Sequence, residues 1–363
     1  MIRIIIFLLA SCLTLSACTQ KKIVDQIALP IVMGIDNTKN HKLQYTIAVP
    51  IFQSNQSVLN TTYTFSDYTL KNSHQMLQTE NSKPITTSKI SVVLCGKDLA
   101  KDGLMRSMDT ILRDPKMSRK IFLAIVDGQA KDLLESDFSS NEEKGIFLNQ
   151  MIKGNIQNGY LPETHLHQFE YALLGEGMDP YLPLFKKYKE HTKKNKERIK
   201  ISGLALFRKN QYVTTLPLKQ MPVFRLMVDD ANNGIHQVKM KNHSYAAVRN
   251  QGSKVRYEIK GSSKKPGITI NLTLNGTVTE YSGFNLTEKN RLYLERSFEK
   301  QITNTGKSLL HTFQKLQIDP LQIGDFVRSQ TRDWEAHKWH QNYPDVPIHL
   351  NVDVHIQEIG ATQ

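Results

Sequence analysis

Side chains able to do chemistry are sparse in this chain, and the histidines come first. His165 and His167 flank Leu166, His337 and His340 are three apart, and His349 and His355 are six apart. On a helix the second pair shares a face, and on a strand the third pair does. Neutral imidazole is a common metal ligand, so these are the residues a zinc-like ion would use. No cysteine or paired carboxylate stands at ligand spacing beside them, so the pattern predicts surface histidines and no metal. The chain has no Gly-x-Ser-x-Gly nucleophile elbow and no phosphate-binding glycine loop. Cys95 closes the apolar run from Ile90 to Leu94 and so sits in a buried-type strand, with no histidine partner for nucleophilic work. Glu280 follows a predicted strand and is expected as a buried acid paired with a basic residue. Trp334 and Trp339 are expected to pack helices. The residues thus predict no catalytic group, no cofactor and no enzyme.

Cys18 is different. It ends the tetrapeptide Leu15-Ser16-Ala17-Cys18, which resembles the bacterial lipobox: a large aliphatic residue, two small ones, then cysteine. In such a box the thiol takes a diacylglyceryl group and the bond between Ala17 and Cys18 is cut. The preceding residues fit that chemistry. Arg3 is their only charged side chain, and Ile4 to Leu9 is an unbroken apolar run that continues weakly to Leu13. A helix crossing ~30 Å of hydrocarbon needs about twenty apolar residues, so this segment is too short to remain as an anchor. It reads as a secretion signal over residues 1–17. Each buried CH₂ contributes about 0.8 kcal/mol; one acyl chain binds reversibly and two anchor stably. The expectation is an exported protein held to membrane lipid through Cys18.

Composition bounds the rest. At 363 residues, 39% hydrophobic and 22% charged, the chain is globular and long enough for two or three domains. Cys12 leaves with the signal and Cys18 carries lipid, so Cys95 has no disulfide partner. The net charge is +13. Export and anchoring argue against nucleic acid and leave anionic headgroups or an acidic partner. The densest basic run, Lys186 to Arg198, is read as a solvated linker or helix face.

The elements that must position these residues follow from periodicity. Ile27 to Ile35 and Leu43 to Phe52 predict a hairpin around the turn Asp36 to Asn40, with Pro30 and Pro50 confining both strands to an edge or shortening them. Thr61 to Tyr68 predicts a third strand, and a helical piece precedes Pro84. Ile90 to Leu94, Leu104 to Leu112 and Ile121 to Val126 read as strand, helix and strand, a parallel βαβ-like unit. A helix opens at Asn141 to Glu143 and carries Phe147, Met151 and Ile152 on one side. Gly175, Gly177, Pro180 and Pro183 break the pattern, and a domain boundary is expected within residues 185–199. Beyond it, Ile201 to Phe207, Tyr212 to Leu218, Val255 to Ile259 and Ile268 to Leu274 predict strands. From Thr287 the positions Leu294, Phe298, Ile302, Leu309, Phe313 and Leu316 predict one long amphipathic helix, with a gap around Gly306. A second helix over Pro320 to Trp339 and a strand over Ile348 to Ile356 close the chain. The fold class is α+β and multi-domain, with a mixed sheet and helices in the N-terminal half. In the C-terminal half a mainly antiparallel sheet is packed by the long helix. The expected segments are a signal at 1–17, an N-terminal region at 18–198 with room for two subdomains, and a C-terminal domain at 199–363.

Several stretches stand in a distinctive order. Val93-Leu94-Cys95-Gly96-Lys97-Asp98-Leu99-Ala100-Lys101-Asp102-Gly103-Leu104 leads to Arg113-Asp114-Pro115 and then Gly128-Gln129-Ala130-Lys131-Asp132-Leu133. Met178-Asp179-Pro180-Tyr181-Leu182-Pro183 and Ile201-Ser202-Gly203-Leu204-Ala205-Leu206-Phe207-Arg208 follow. Asp319-Pro320-Leu321, Gly324, Trp334, Trp339 and Asn351-Val352-Asp353-Val354 through Gly360 come last. In this order the sequence resembles the Ger(x)C family, the lipoprotein C subunits of spore germinant receptors. Two departures stand out. Family members often carry Trp-Asp and an acidic patch after the lipidated cysteine, where this chain has Thr19-Gln20-Lys21-Lys22, and the two late tryptophans are closer together here.

The resemblance implies a non-enzymatic subunit of a nutrient germinant receptor, required for spore germination. It implies assembly with an integral-membrane A subunit and a transporter-like B subunit, lipid-anchored at the outer face of the inner spore membrane. A rival from another class is a solute-binding lipoprotein feeding a transporter. That rival needs two α/β lobes around a cleft, which a strand-rich second half closed by a long helix does not predict.

Overall fold

The structure, a computed structural model, describes residues 28–40, 42–52, 58–138, 142–190, 197–241, 243–262, 265–283 and 287–357. The signal, Ala17, Cys18, Thr19 to Lys22, Asn141, residues 191–196 and residues 358–360 lie outside the described residues.

Strands β1 (Val32–Asn37), β2 (Leu43–Phe52) and β3 (Val58–Asp67) form an antiparallel meander. Helix α1 (Leu70–Glu80) follows, capped by the Thr69 hydroxyl, which accepts from the Asn72 amide at 3.3 Å. Next come β4 (Val92–Gly96), α2 (Lys97–Asp102), α3 (Met105–Leu112), β5 (Phe122–Val126), α4 (Ala130–Glu135), α5 (Lys144–Gln157) and α6 (Leu166–Leu174). Then β6 (Tyr181–Lys189), β7 (Glu197–Arg208) and β8 (Gln211–Pro217) complete an eight-stranded sheet of order β3-β2-β1-β4-β5-β6-β7-β8. Strands β1, β4, β5 and β6 run parallel, and the outer pairs are antiparallel. The strand–helix–strand unit expected between Ile90 and Val126 is therefore present, with β4 and β5 side by side.

Strands β4 and β5 are buried along their whole length, which explains their uninterrupted apolar runs. Alternation then assigns each residue to a face. Val92, Leu94, Phe122 and Ala124 join one core; Val93, Cys95, Leu123 and Ile125 join the other. The first of these cores runs on into the second half of the chain, where it includes Phe224, Phe298 and Phe313.

Two expectations change here. Pro50 does not confine β2 to an edge, because β2 pairs with both β1 and β3. The β1 ladder stops at Ala48, so at Pro50 the strand has a neighbour on one side only, and a missing N–H is tolerated. The described ends of the basic run are strand and not helix face: Lys186, Lys187 and Lys189 stand on β6 and Arg198 on β7, two strands paired from Tyr181↔Leu206 to Lys189↔Glu197.

The second half adds α7 (Met221–Val228), a helix the periodicity did not single out, and then β9 (Ile235–Lys239), β10 (Tyr245–Ser262) and β11 (Lys265–Tyr281). Helices α8 (Glu288–Lys315), α9 (Ile323–Gln330) and α10 (Ala336–Asn342) precede β12 (Ile348–Gln357). The sheet order is β12-β11-β10-β9, with β12 parallel to β11 and the other pairs antiparallel. Helix α8 is the expected long helix. Thr287 caps it by accepting from the Asn290 amide at 3.3 Å, and Leu294, Phe298, Ile302, Leu309 and Phe313 are buried along one stripe. It runs through Gly306 unbroken. The single helix expected over Pro320 to Trp339 is two: the first ends at Thr331, whose backbone is extended and whose hydroxyl donates to the Val327 carbonyl at 2.9 Å, and the second starts at Ala336. The molecule is α+β, and its four-stranded sheet is not the second α/β lobe that the solute-binding rival requires.

Candidate functional site

The sequence-singled residues are dispersed. Cys95 is buried on β4, and burial pushes its thiol pKa well up, so it is not a poised nucleophile. His165 stacks on Phe122 at 4.3 Å between ring centroids, with Nδ1 3.0 Å from the Lys120 carbonyl. His337 and His340 lie on α10, while His349 and His355 lie on the exposed face of β12. Among the described residues no three His, Cys, Asp or Glu side chains converge as a metal would need. Glu280, expected as a buried acid, is exposed near the end of β11 opposite Ala247. Trp339 is buried against Trp334 and Tyr343, at 5.7 and 5.4 Å between centroids, and the Trp334 indole donates to Glu176 Oε2 at 2.8 Å.

The structure instead gathers buried carboxylates that the sequence reading left aside. Asp36, expected to open the hairpin turn, is instead the last but one residue of β1 and only 2% exposed. Its Oδ1 accepts from the Ala130 amide at 2.8 Å and its Oδ2 from the Lys131 amide at 2.9 Å, so it closes the N-terminus of α4. Burial raises its pKa, and the two amides oppose the rise. Gly96 lies against this carboxylate, and a Cβ there would overlap Asp36 Oδ1. Beside it Lys97 Nζ meets Asp127 Oδ1 at 2.9 Å, and Lys186 Nζ meets Oδ2 at 3.3 Å; these cations hold Asp127 below its ordinary pKa.

A second buried pair joins the two halves of the chain. Asp179 Oδ2 accepts from the Asp319 amide at 2.8 Å, and the Asp179 amide donates to the Asp319 carbonyl at 2.9 Å. Asp179 Oδ1 accepts from the Lys209 amide at 2.7 Å, where Lys209 has a left-handed φ of 54°. Asp319 Oδ1 and Oδ2 accept from Ile323 and Gly324 at 3.0 and 2.7 Å, capping α9. Both acids precede proline, which biases their backbones toward the extended region. Gly177 packs on the backbone of Gly324, with no room for a Cβ, and its carbonyl accepts from the Asp325 amide at 2.9 Å. The repeated Asp-Pro was the available signal for this knot.

Next to the knot opens a cleft of about 260 Å³, with an inner recess of about 40 Å³ that shares its lining. Glu163 comes from the segment just before α6, Gln168 from its first turn, Tyr181 from β6, Asp229 from the cap that follows α7, and Gln322 from the turn before α9. Glu163 Oε2 accepts from Gln168 Nε2 at 3.2 Å, and Asp229 is ion-paired with Arg225. Burial raises the Asp229 pKa, Arg225 opposes this, and the charge of Glu163 adds to the rise. Carboxylates, an aromatic ring and side-chain amides are groups that hold a cation; none is arranged as a nucleophile with its base.

Comparison with known proteins gives this architecture a context. Residues 20–187 match the spore germination protein N-terminal domain, and residues 202–360 match the domain described as spore germination B3/GerAC like, C-terminal. The spore germination protein GerQC of Bacillus cereus is 26% identical, with 99% of each chain covered. The spore germination protein B3 of Bacillus subtilis (strain 168) is 21% identical, with 96% of each chain covered. The crystal structure of the GerBC protein shares the fold, with a TM-score of 0.54 at 17% identity over 89% of this chain and 96% of that one.

Proposed function

The chain belongs to the spore germination family of those two domains, and from that premise we propose that it is a lipid-anchored, non-catalytic subunit of a nutrient germinant receptor. The observation that carries the reading is the ordered pair of domain matches, which together run from residue 20 to residue 360. The segments that carry the resemblance also supply buried structural groups. Gly96 and Ala130 surround Asp36, and Asp179 pairs with Asp319. Their role is to fix one rigid surface rather than to react.

In this reading lipid on Cys18 holds the protein at the outer face of the inner spore membrane, beside the A and B membrane subunits. Tethering turns docking into a local event, so modest interfaces suffice at the raised effective concentration. No helix among the described residues is long and apolar enough to cross a membrane.

Deleting the gene tests the reading. Spores are expected to lose their response to one nutrient and to keep their responses to others, and a tagged chain is expected to co-purify with the A and B subunits. An unchanged response to every nutrient would overturn it.

A further inference from the structure

The cleft beside the Asp179–Asp319 knot carries more than its shape. Glu163 has no basic side chain within ion-pair distance among the described residues, and its carboxylate accepts from the Gln168 amide. Asp229, half-exposed and ion-paired with Arg225, lines the same space. The inner recess is bordered by Thr164, which is 2% exposed and whose hydroxyl has no hydrogen-bond partner. Buried hydroxyls are almost always satisfied, so an unmet one beside a recess that Glu163 and Gln168 also line points to an absent partner. The Tyr181 ring, set edge-on to Phe224 at 5.2 Å, forms an apolar wall suited to a cation.

From these groups we propose that the cleft is a binding site for a small organic solute bearing a primary ammonium group. An ammonium has three donors and no acceptor, and the cleft offers acceptors: the carboxylates of Glu163 and Asp229, and the Thr164 hydroxyl at the recess. Two carboxylates line one cleft, and a cation held between them offsets their mutual repulsion. About 260 Å³ suits a solute of metabolite size, below the ~300–1,000 Å³ typical of drug-sized sites. The walls come from α6, β6, α7 and the turn before α9, so an occupied cleft braces the two halves of the chain against each other. Binding itself does not depend on the receptor reading; only its consequence in the spore rests on that reading.

The test is calorimetric titration of the full-length lipoprotein in detergent with putrescine and with ethanolamine, using ethylene glycol and magnesium chloride as controls. Saturable binding of an amine is expected, with none for the diol. The double variant Glu163→Gln/Asp229→Asn is expected to bind at least about ten-fold more weakly while unfolding at the same temperature. If it fails to fold, Glu163→Gln alone decides, since an amide oxygen still accepts from Gln168. No binding of either amine to the unaltered chain, affinity unchanged in the variants, or magnesium bound there in place of amines would overturn the proposal. A germination defect with intact amine binding would bear on the receptor reading alone.

Discussion

Asp179 and Asp319 hold each other's backbones: the Asp319 amide donates to the Asp179 carboxylate, and the Asp179 amide donates to the Asp319 carbonyl. The two residues lie 140 positions apart, and both are nearly inaccessible to water. The other Asp179 oxygen accepts from the Lys209 amide, and the two Asp319 carboxylate oxygens accept from the Ile323 and Gly324 amides. The pair therefore ties the end of the N-terminal region, the β7–β8 turn and the start of α9 at one point.

Truncating either acid should cost most of that tie. Asp179→Ala leaves the amides of Lys209 and Asp319 without acceptors, and Asp319→Ala does the same to Ile323 and Gly324. Each orphaned buried donor costs about 1–3 kcal/mol, so a loss of about 2–5 kcal/mol is expected for either variant. Urea unfolding of the full chain reads it. The double variant should lose less than the sum, because the two acids act in one network.

Two buried groups make stability depend on pH in opposite senses. Burial raises the Asp319 pKa from an ordinary 3.8 to about 7. Between those values the native state binds more protons than the unfolded chain, so this contribution is full below about pH 4 and is lost as pH rises through about 7. Burial lowers the His236 pKa from 6.5 to about 4, where it packs on Phe298 at 5.2 Å. There the unfolded chain binds more protons, so stability is lost as pH falls from about 6.5 toward about 4. Unfolding free energies of the unaltered chain minus Asp319→Asn should therefore fall across that range with rising pH. The same difference taken with His236→Gln should rise.

What the sequence made legible was periodic, and what it hid was distant. The α8 stripe repeats every three or four residues and the β4 run is apolar throughout, so Leu294 and Phe298 could be read as one helix face and Cys95 as the end of a buried strand. Asp36 could not be, because it looks like a turn residue until Ala130, 94 positions on, is brought to its carboxylate. Lys186 to Lys189 looked like a linker because the exposed end of a strand has no apolar alternation to show. The cleft was invisible for the same reason as the knot: Glu163, Asp229 and Gln322 come from three separate elements.

Gly96 should prove as important as the carboxylate it faces. A methyl at Gly96 would overlap Asp36 Oδ1 and drive the side chain off the Ala130 and Lys131 amides. Gly96→Ala should then destabilise the chain as Asp36→Ala does, by about 1–3 kcal/mol for each amide left unmet. Since both changes break one contact, combining them should add little to either alone. Full additivity would mean that the glycine serves something other than room for Asp36.

Cys18→Ala separates anchoring from folding. The two cores described here are built from residues between Ala28 and Ile356. The variant should keep the thermal midpoint of the soluble chain. Without the thiol it should take up no labelled palmitate, leave the membrane fraction and fail to restore germination in a deletion strain. On the proposed lipidation, the variant would lack an anchor worth about 0.8 kcal/mol per buried CH₂. If the variant still restored the nutrient response, docking to the membrane subunits would have to be tight enough to act without confinement. The tether would then serve delivery rather than signalling.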